Sequence, residues 1–127
     1  MTDPLFLSRE AVDIIHEGSL KAFGGANGVR DENALESALA QPIHAYLYRD
    51  ADPFEIAATY AFHIAENQPY IDGNKRTGLL NALNFLEQNG YVADRATDDY
   101  YDAMIGIAEK RVDKAMLAEI FRRHIAR

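Results

Sequence analysis

Between Pro53 and Asn67 the chain reads PFEIAATYAFHIAEN, and its polar residues Glu55, Thr59, His63 and Glu66 fall on one narrow stripe of a helix. Nearly all the rest of that helix surface is apolar, so the helix must be covered around most of its circumference. A helix with that requirement is the central one of whatever fold contains it. Asp52 followed by Pro53 marks its start, a capping side chain with proline at the first helical position. The next helix, from about Arg76 to Asn89, repeats the design. Thr77, Asn81, Asn84 and Gln88 form a polar stripe opposite Leu79, Leu80, Leu83 and Leu86, and Gly90 ends it.

The remaining segments are also helical in pattern, and strand signals are scarce. Ser8 is a good N-cap for a helix carrying Ala11, Val12, Ile15, Ala22 and Phe23, which Gly24 and Gly25 stop. Asp31 caps a second helix, ENALESALA, expected to end before Pro42. Residues 42–51 alternate in a way that suits a short flap or hairpin, or an irregular loop. Thr97 and Asp113 are expected to cap two more helices, carrying Tyr101, Met104 and Ile105, and then Met116, Ile120 and Phe121. The expectation is an all-α fold of about six helices, with residues 1–127 forming one domain.

A chain of 127 residues can bury a core of its own. It contains no cysteine, so disulfides and thiolate metal sites are excluded. The start, MTDPLFLSRE, lacks the basic beginning and apolar run of a signal peptide, and no apolar stretch reaches the roughly 20 residues that span a bilayer. A cytoplasmic protein is expected. The net charge of −7 argues against non-specific binding to nucleic acid or membrane, which needs a basic face. The bases gather in two places, Lys75 with Arg76, and Arg122, Arg123 and Arg127. Such small foci suit a compact anion better than a polymer.

Between the two central helices stands QPYIDGNKRTG, residues 68–78. Gly73 and Asn74 tolerate unusual backbone angles just before a helix begins. The first N–H groups of a helix lack internal partners and carry the positive end of its dipole, so a glycine turn entering a helix is a natural anion cradle. Lys75 and Arg76 add full charges, and Asp72 offers an oxygen ligand for a magnesium ion bridging phosphates. The pentapeptide alone is equally compatible with an exposed turn. Its placement favours a cleft, because charges inserted between the two most buried helices are costly elsewhere. The spacing is not that of a P-loop.

The stretch QPYIDGNKRTG resembles the active-site loop of the Fic/Doc (Fido) family, whose pattern is roughly H-P-F-x-D/E-G-N-x-R. The lysine of GNKR is typical of its Doc, or death-on-curing, branch, and GGANGVRDENALESALAQP is similar to that branch in content and order. The resemblance covers about Ser8 to Gly90. It implies a small helical fold with the loop between two central helices, magnesium on Asp72, and ATP phosphates held by Gly73, Asn74, Lys75 and Arg76. It further implies a toxin that transfers the terminal phosphate of ATP to a protein hydroxyl, elongation factor Tu being the target in the type case. A small Phd-like antitoxin is the implied partner.

Two departures qualify that picture. The family histidine, the base that takes the proton from the target hydroxyl, aligns with Gln68, whose amide has no useful basicity. A second arginine, which many AMP-transferring relatives carry, falls at Leu79, favouring phosphate transfer. Tyr70 replaces a phenylalanine and keeps an anchoring ring. His63, on the polar stripe, is the one histidine placed to compensate, although a partly exposed helix residue is the plainer account. His16, His44 and His124 read as structural or surface residues. The candidate catalytic residues are therefore Gln68 and Arg76, and three functions stay open. They are a phosphotransferase working without its base, an AMP transferase, and a binding module that holds a nucleotide or partner without chemistry.

Overall fold

The computed structural model describes residues 3–95 and 97–126. Among them are six helices, α1 (Arg9–Phe23), α2 (Glu32–Arg49), α3 (Pro53–Asn67), α4 (Asn74–Gln88), α5 (Asp99–Ala108) and α6 (Lys114–His124). Two two-residue strands, β1 (Val92–Ala93) and β2 (Ile125–Ala126), pair antiparallel and close the C-terminal end onto the segment after α4. The fold is all-α, as the periodicity predicts.

Helix α3 is central. It packs against α2, α4, α5 and α6, and Ile56 to Ala61 form an unbroken buried run. Asp52 accepts from Glu55 N while Glu55 accepts from Asp52 N, a reciprocal capping box that fixes where the helix begins. The apolar faces of α3 and α4 meet in a core that includes Tyr60, Phe85, Leu86, Met104 and Phe121. Burying each of these large side chains contributes roughly 1.5–3 kcal/mol. The two central helices approach so closely at Gly78 that a β-carbon there would lie 2.8 Å from the Ala61 carbonyl oxygen.

Several sequence expectations are corrected. Helix α2 does not stop before Pro42 but continues to Arg49, so residues 42–49 form neither a hairpin nor a loop. Leu35, Ala38, Pro42 and Ala45 share one buried stripe, and packing that stripe outweighs the roughly 3 kcal/mol that an interior proline costs an isolated helix. Asp50, in the left-handed conformation, ends it. The stripe of α4 expected to be polar is in part interior, with Thr77 and Asn81 fully buried. Helix α5 starts at Asp99, with Thr97 accepting from the Asp99 amide rather than acting as the cap itself. Helix α4 starts at Asn74, two residues earlier than expected, which brings Lys75 and Arg76 into its first turn.

Candidate functional site

The loop between α3 and α4 is fastened to the segment between α1 and α2, the two stretches singled out in the sequence. Ile71 N donates to Gly28 O, and the amides of Arg30 and Asp31 both donate to Pro69 O. Arg30 donates from its side chain to the main-chain carbonyls of Asn67 and Gln68. Within the loop, Asn74 clips Tyr70 from both sides, its amide oxygen accepting from Tyr70 N and its amide nitrogen donating to Tyr70 O, each at 2.9 Å. The Asn74 side chain is thus occupied in shaping the loop, which leaves its main-chain N–H as its contribution to an anion.

Beneath the loop lies an aromatic anchor. The ring of Tyr70 is buried, stacks on His16 at 3.7 Å, and its hydroxyl donates to Asp13. Burial and that carboxylate push the phenol well above its usual range. His16 also bonds through Nε2 to the Asp72 carbonyl oxygen at 2.9 Å. A histidine that reads as merely structural therefore positions the backbone of the candidate metal ligand.

Asp72 is exposed, with one carboxylate oxygen accepting from Gly73 N at 2.8 Å and the other from Ala26 N at 3.2 Å. Gly25 makes that approach possible, since a β-carbon there would stand 2.8 Å from the Asp72 carboxylate. Gly73 follows as the N-cap of α4 at φ 75°, and no side chain caps the helix. The first-turn amides of Asn74, Lys75 and Arg76 consequently lack a side-chain acceptor among the described residues.

Arg76 is half-buried. It donates from Nε to Ser19 Oγ and from Nη2 to Gly24 O at 3.0 Å, and its guanidinium lies over the Phe23 ring. Its hydrogen-bond partners are neutral, and no carboxylate among the described residues forms an ion pair with it. Lys75 is exposed and likewise has no acidic partner there. Asp72, Gly73, Asn74 and Lys75 form a ridge between two clefts. The larger, about 610 Å³, continues over Arg76, Phe23 and Tyr101. The smaller, about 240 Å³, is closed by Gln68, Glu66 and Lys110.

Gln68 is the C-cap of α3, exposed and left-handed at φ 47°. Its carbonyl is taken by Arg30 and its amide side chain lines the smaller cleft. His63 is not brought to that cleft. It is half-buried beside Phe62, with Nε2 3.1 Å from Lys114 Nζ, and burial followed by Lys114 and Arg49 pulls its pKa down to about 4. Arg122 pairs with Asp52 and Glu119, and Arg123 is exposed on the same helix. Neither lines the clefts, and Arg127 lies outside the described residues. His44 tilts against Tyr48, and His124 pairs with Asp99. Sequence reasoning missed Arg30 and His16. Their signal was weak, since each acts across more than thirty residues of chain.

The Fic/DOC family model matches residues 6–86. Two relatives are similar along nearly the whole chain. One, from Escherichia phage P1, bears the name protein kinase doc and is 30% identical over 118 residues, covering 92% of this chain and 93% of its own. The other, named toxin Doc, comes from Mycolicibacterium smegmatis and is 37% identical over 117 residues, 89% of this chain and 88% of its own.

Proposed function

The chain belongs to the Fic/DOC family, and from that we propose that it is a Doc-like toxin of a toxin–antitoxin pair that transfers the terminal phosphate of ATP to a hydroxyl of a target protein. The observation that carries the reading is the start of α4. Three uncapped amides, Lys75 and Arg76 converge there, with Asp72 on the same rim. Phosphoryl transfer depends mostly on positioning and on stabilising charge, and these groups supply both.

The amides of the first turn would hold phosphate oxygens at the positive end of the α4 dipole, with Lys75 and Arg76 neutralising the rest. Arg76 has the firmer seat, because Ser19, Gly24 and Phe23 fix its guanidinium beside Gly73. The apolar wall of the larger cleft, with Phe23 and Tyr101, suits a nucleobase. Asp72 fits a magnesium ion, which needs one or two carboxylates besides phosphate and water. The Gly73 and Ala26 amides orient its carboxylate and leave a lone pair on each oxygen. Asp72 would hold that magnesium, whose positive charge would offset the charge of the phosphates. Gln68, facing the smaller cleft, would orient the target hydroxyl through its amide oxygen. The resemblance points to elongation factor Tu as target, a Phd-like antitoxin as neutralising partner, and a cytoplasmic setting. No helix among the described residues is long and apolar enough to cross a membrane.

A second reading is favoured by Gln68 itself. An amide at the place of the family base suits a module that holds a nucleotide or partner without chemistry. Incubation with labelled ATP and cell lysate separates the readings. Label passing to protein from the γ-phosphate supports phosphotransfer, label passing only from the α-phosphate means AMP transfer, and no label supports the binding module.

A further inference from the structure

The smaller cleft contains an acid that the loop motif does not include. Glu66 lies on the last turn of α3, two residues before Gln68, and its side chain shares the cleft with Gln68, Asp72 and Lys75. Lys110 Nζ holds its two carboxylate oxygens at 2.8 and 2.6 Å. Lys110 is open to solvent, so water screens the pair and the contact is weak. Only one lone pair of each oxygen is engaged by that contact, so the carboxylate still has acceptor capacity toward the cleft. The other carboxylate lining this cleft, Asp72, is tethered by the amides of Gly73 and Ala26. His63 faces Lys114 instead.

We infer that Glu66 is the proton acceptor of the transfer, taking the role that Gln68 lacks. The inference rests on the phosphotransfer reading above. A target hydroxyl entering the smaller cleft meets Gln68 and Glu66 on one wall and the phosphate ridge on the other. As its oxygen bonds to the terminal phosphorus of ATP, its proton passes to a Glu66 oxygen. The bond between that phosphorus and the bridging oxygen of ADP breaks, and ADP leaves with the electron pair. Glu66 then returns the proton to water through the open mouth of the cleft. A carboxylate is basic enough for this, because in a loose phosphoryl transition state the attacking oxygen carries little bond formation and needs its proton removed only late. Lys110 keeps the carboxylate oriented. Gln68 keeps the hydroxyl aligned.

The test compares transfer of γ-labelled phosphate from ATP to lysate protein by the wild type, Glu66→Gln, Gln68→His and the double variant, with magnesium-ATP affinity measured by calorimetry. Glu66→Gln keeps the side-chain shape and is expected to lower transfer by about 10²–10⁴-fold at unchanged ATP affinity. The double variant is expected to recover most of that loss, because the imidazole supplies a base in the same cleft. A Glu66→Gln protein as active as wild type would overturn the assignment and leave the phosphotransfer reading standing. A double variant as slow as Glu66→Gln would also overturn it, marking Glu66 as structural. Wild type and Gln68→His that bind ATP but transfer nothing would overturn both.

Discussion

Arg30 reaches from the segment ahead of α2 to the far end of α3 and donates from Nε at 2.8 Å and Nη2 at 2.5 Å to the main-chain carbonyl of Gln68. A carbonyl at a helix C-terminus has no intrahelical partner and carries the negative end of the dipole, so a guanidinium there satisfies both. The contact also fixes where the loop leaves α3, and hence where Asp72 and the start of α4 stand.

Replacing Arg30 should therefore loosen the site more than the fold. Arg30→Ala is expected to cost about 1 kcal/mol in urea denaturation, the contact being exposed. Amide exchange over residues 68–73 should rise by more than in the core of α3. Uniform exchange across both regions would show that the clamp is unimportant.

Lys75→Ala and Arg76→Ala should each weaken magnesium-ATP by about tenfold or more, since on the proposed reading each removes a charge that would face the phosphates. Arg76→Lys should recover little, because a lysine cannot reproduce the fork that reaches Ser19 and Gly24 while keeping a donor free. Calorimetry giving equal affinity for all three variants and wild type would place the nucleotide elsewhere.

Asp72→Asn separates the metal role from the tether. Asparagine retains an oxygen for the Gly73 or Ala26 amide, so the loop should keep its shape, while the lost charge should abolish the magnesium dependence of ATP binding. Unfolding midpoints should match wild type within about 0.5 kcal/mol. Persisting magnesium dependence would remove Asp72 from the metal site.

What could be read from the sequence was what is local. The apolar surround of α3, the Asp52 and Pro53 start, and the glycine turn leading into α4 each express themselves within one or two helical turns. Pro42 misled because propensity is a weak prior, and a buried stripe with Leu35, Ala38 and Ala45 outweighs it. Thr77 and Asn81 mislead because a polar stripe need not face water: both are enclosed without a side-chain hydrogen-bond partner among the described residues. His16 and Arg30 were illegible as site residues because their partners are the main-chain oxygens of Asp72 and Gln68. No side-chain pattern encodes a contact to a distant carbonyl.

His63 should make stability depend on acid. Its folded pKa of about 4 lies below the ordinary 6.5, because burial, Lys114 and Arg49 disfavour the imidazolium and Glu66 opposes them only weakly. The unfolded chain therefore binds more protons between those values, so stability is whole above pH 6.5 and falls as pH drops towards 4. With the ring only half-buried and screened by water, the loss attributable to it is about 1–2 kcal/mol. His63→Gln removes the titration, and the urea midpoint of the variant should drop less than that of wild type between pH 7 and pH 4.5. Parallel curves would mean that the ring takes up its proton over the same pH range in the folded and the unfolded chain.

The backbone of Gln68 gives the last prediction. A left-handed φ of 47° at a helix C-cap is where glycine is ordinarily favoured, and a glutamine there carries a conformational cost of about 1 kcal/mol. Its main-chain carbonyl, held by Arg30, would survive any substitution. Nothing in the packing requires the amide, which is exposed in the smaller cleft. Gln68→Gly should thus be neutral or stabilising by up to about 1 kcal/mol and should leave ATP affinity unchanged. If the amide oxygen aligns the target hydroxyl, the same variant should transfer phosphate about tenfold or more slowly, since misalignment alone is costly in a positioned reaction. Denaturation and γ-phosphate transfer measured on one preparation distinguish the outcomes. A more stable but slower protein ties the strained residue to the chemistry. A Gln68→Gly protein with wild-type transfer would show that the amide has no part in it.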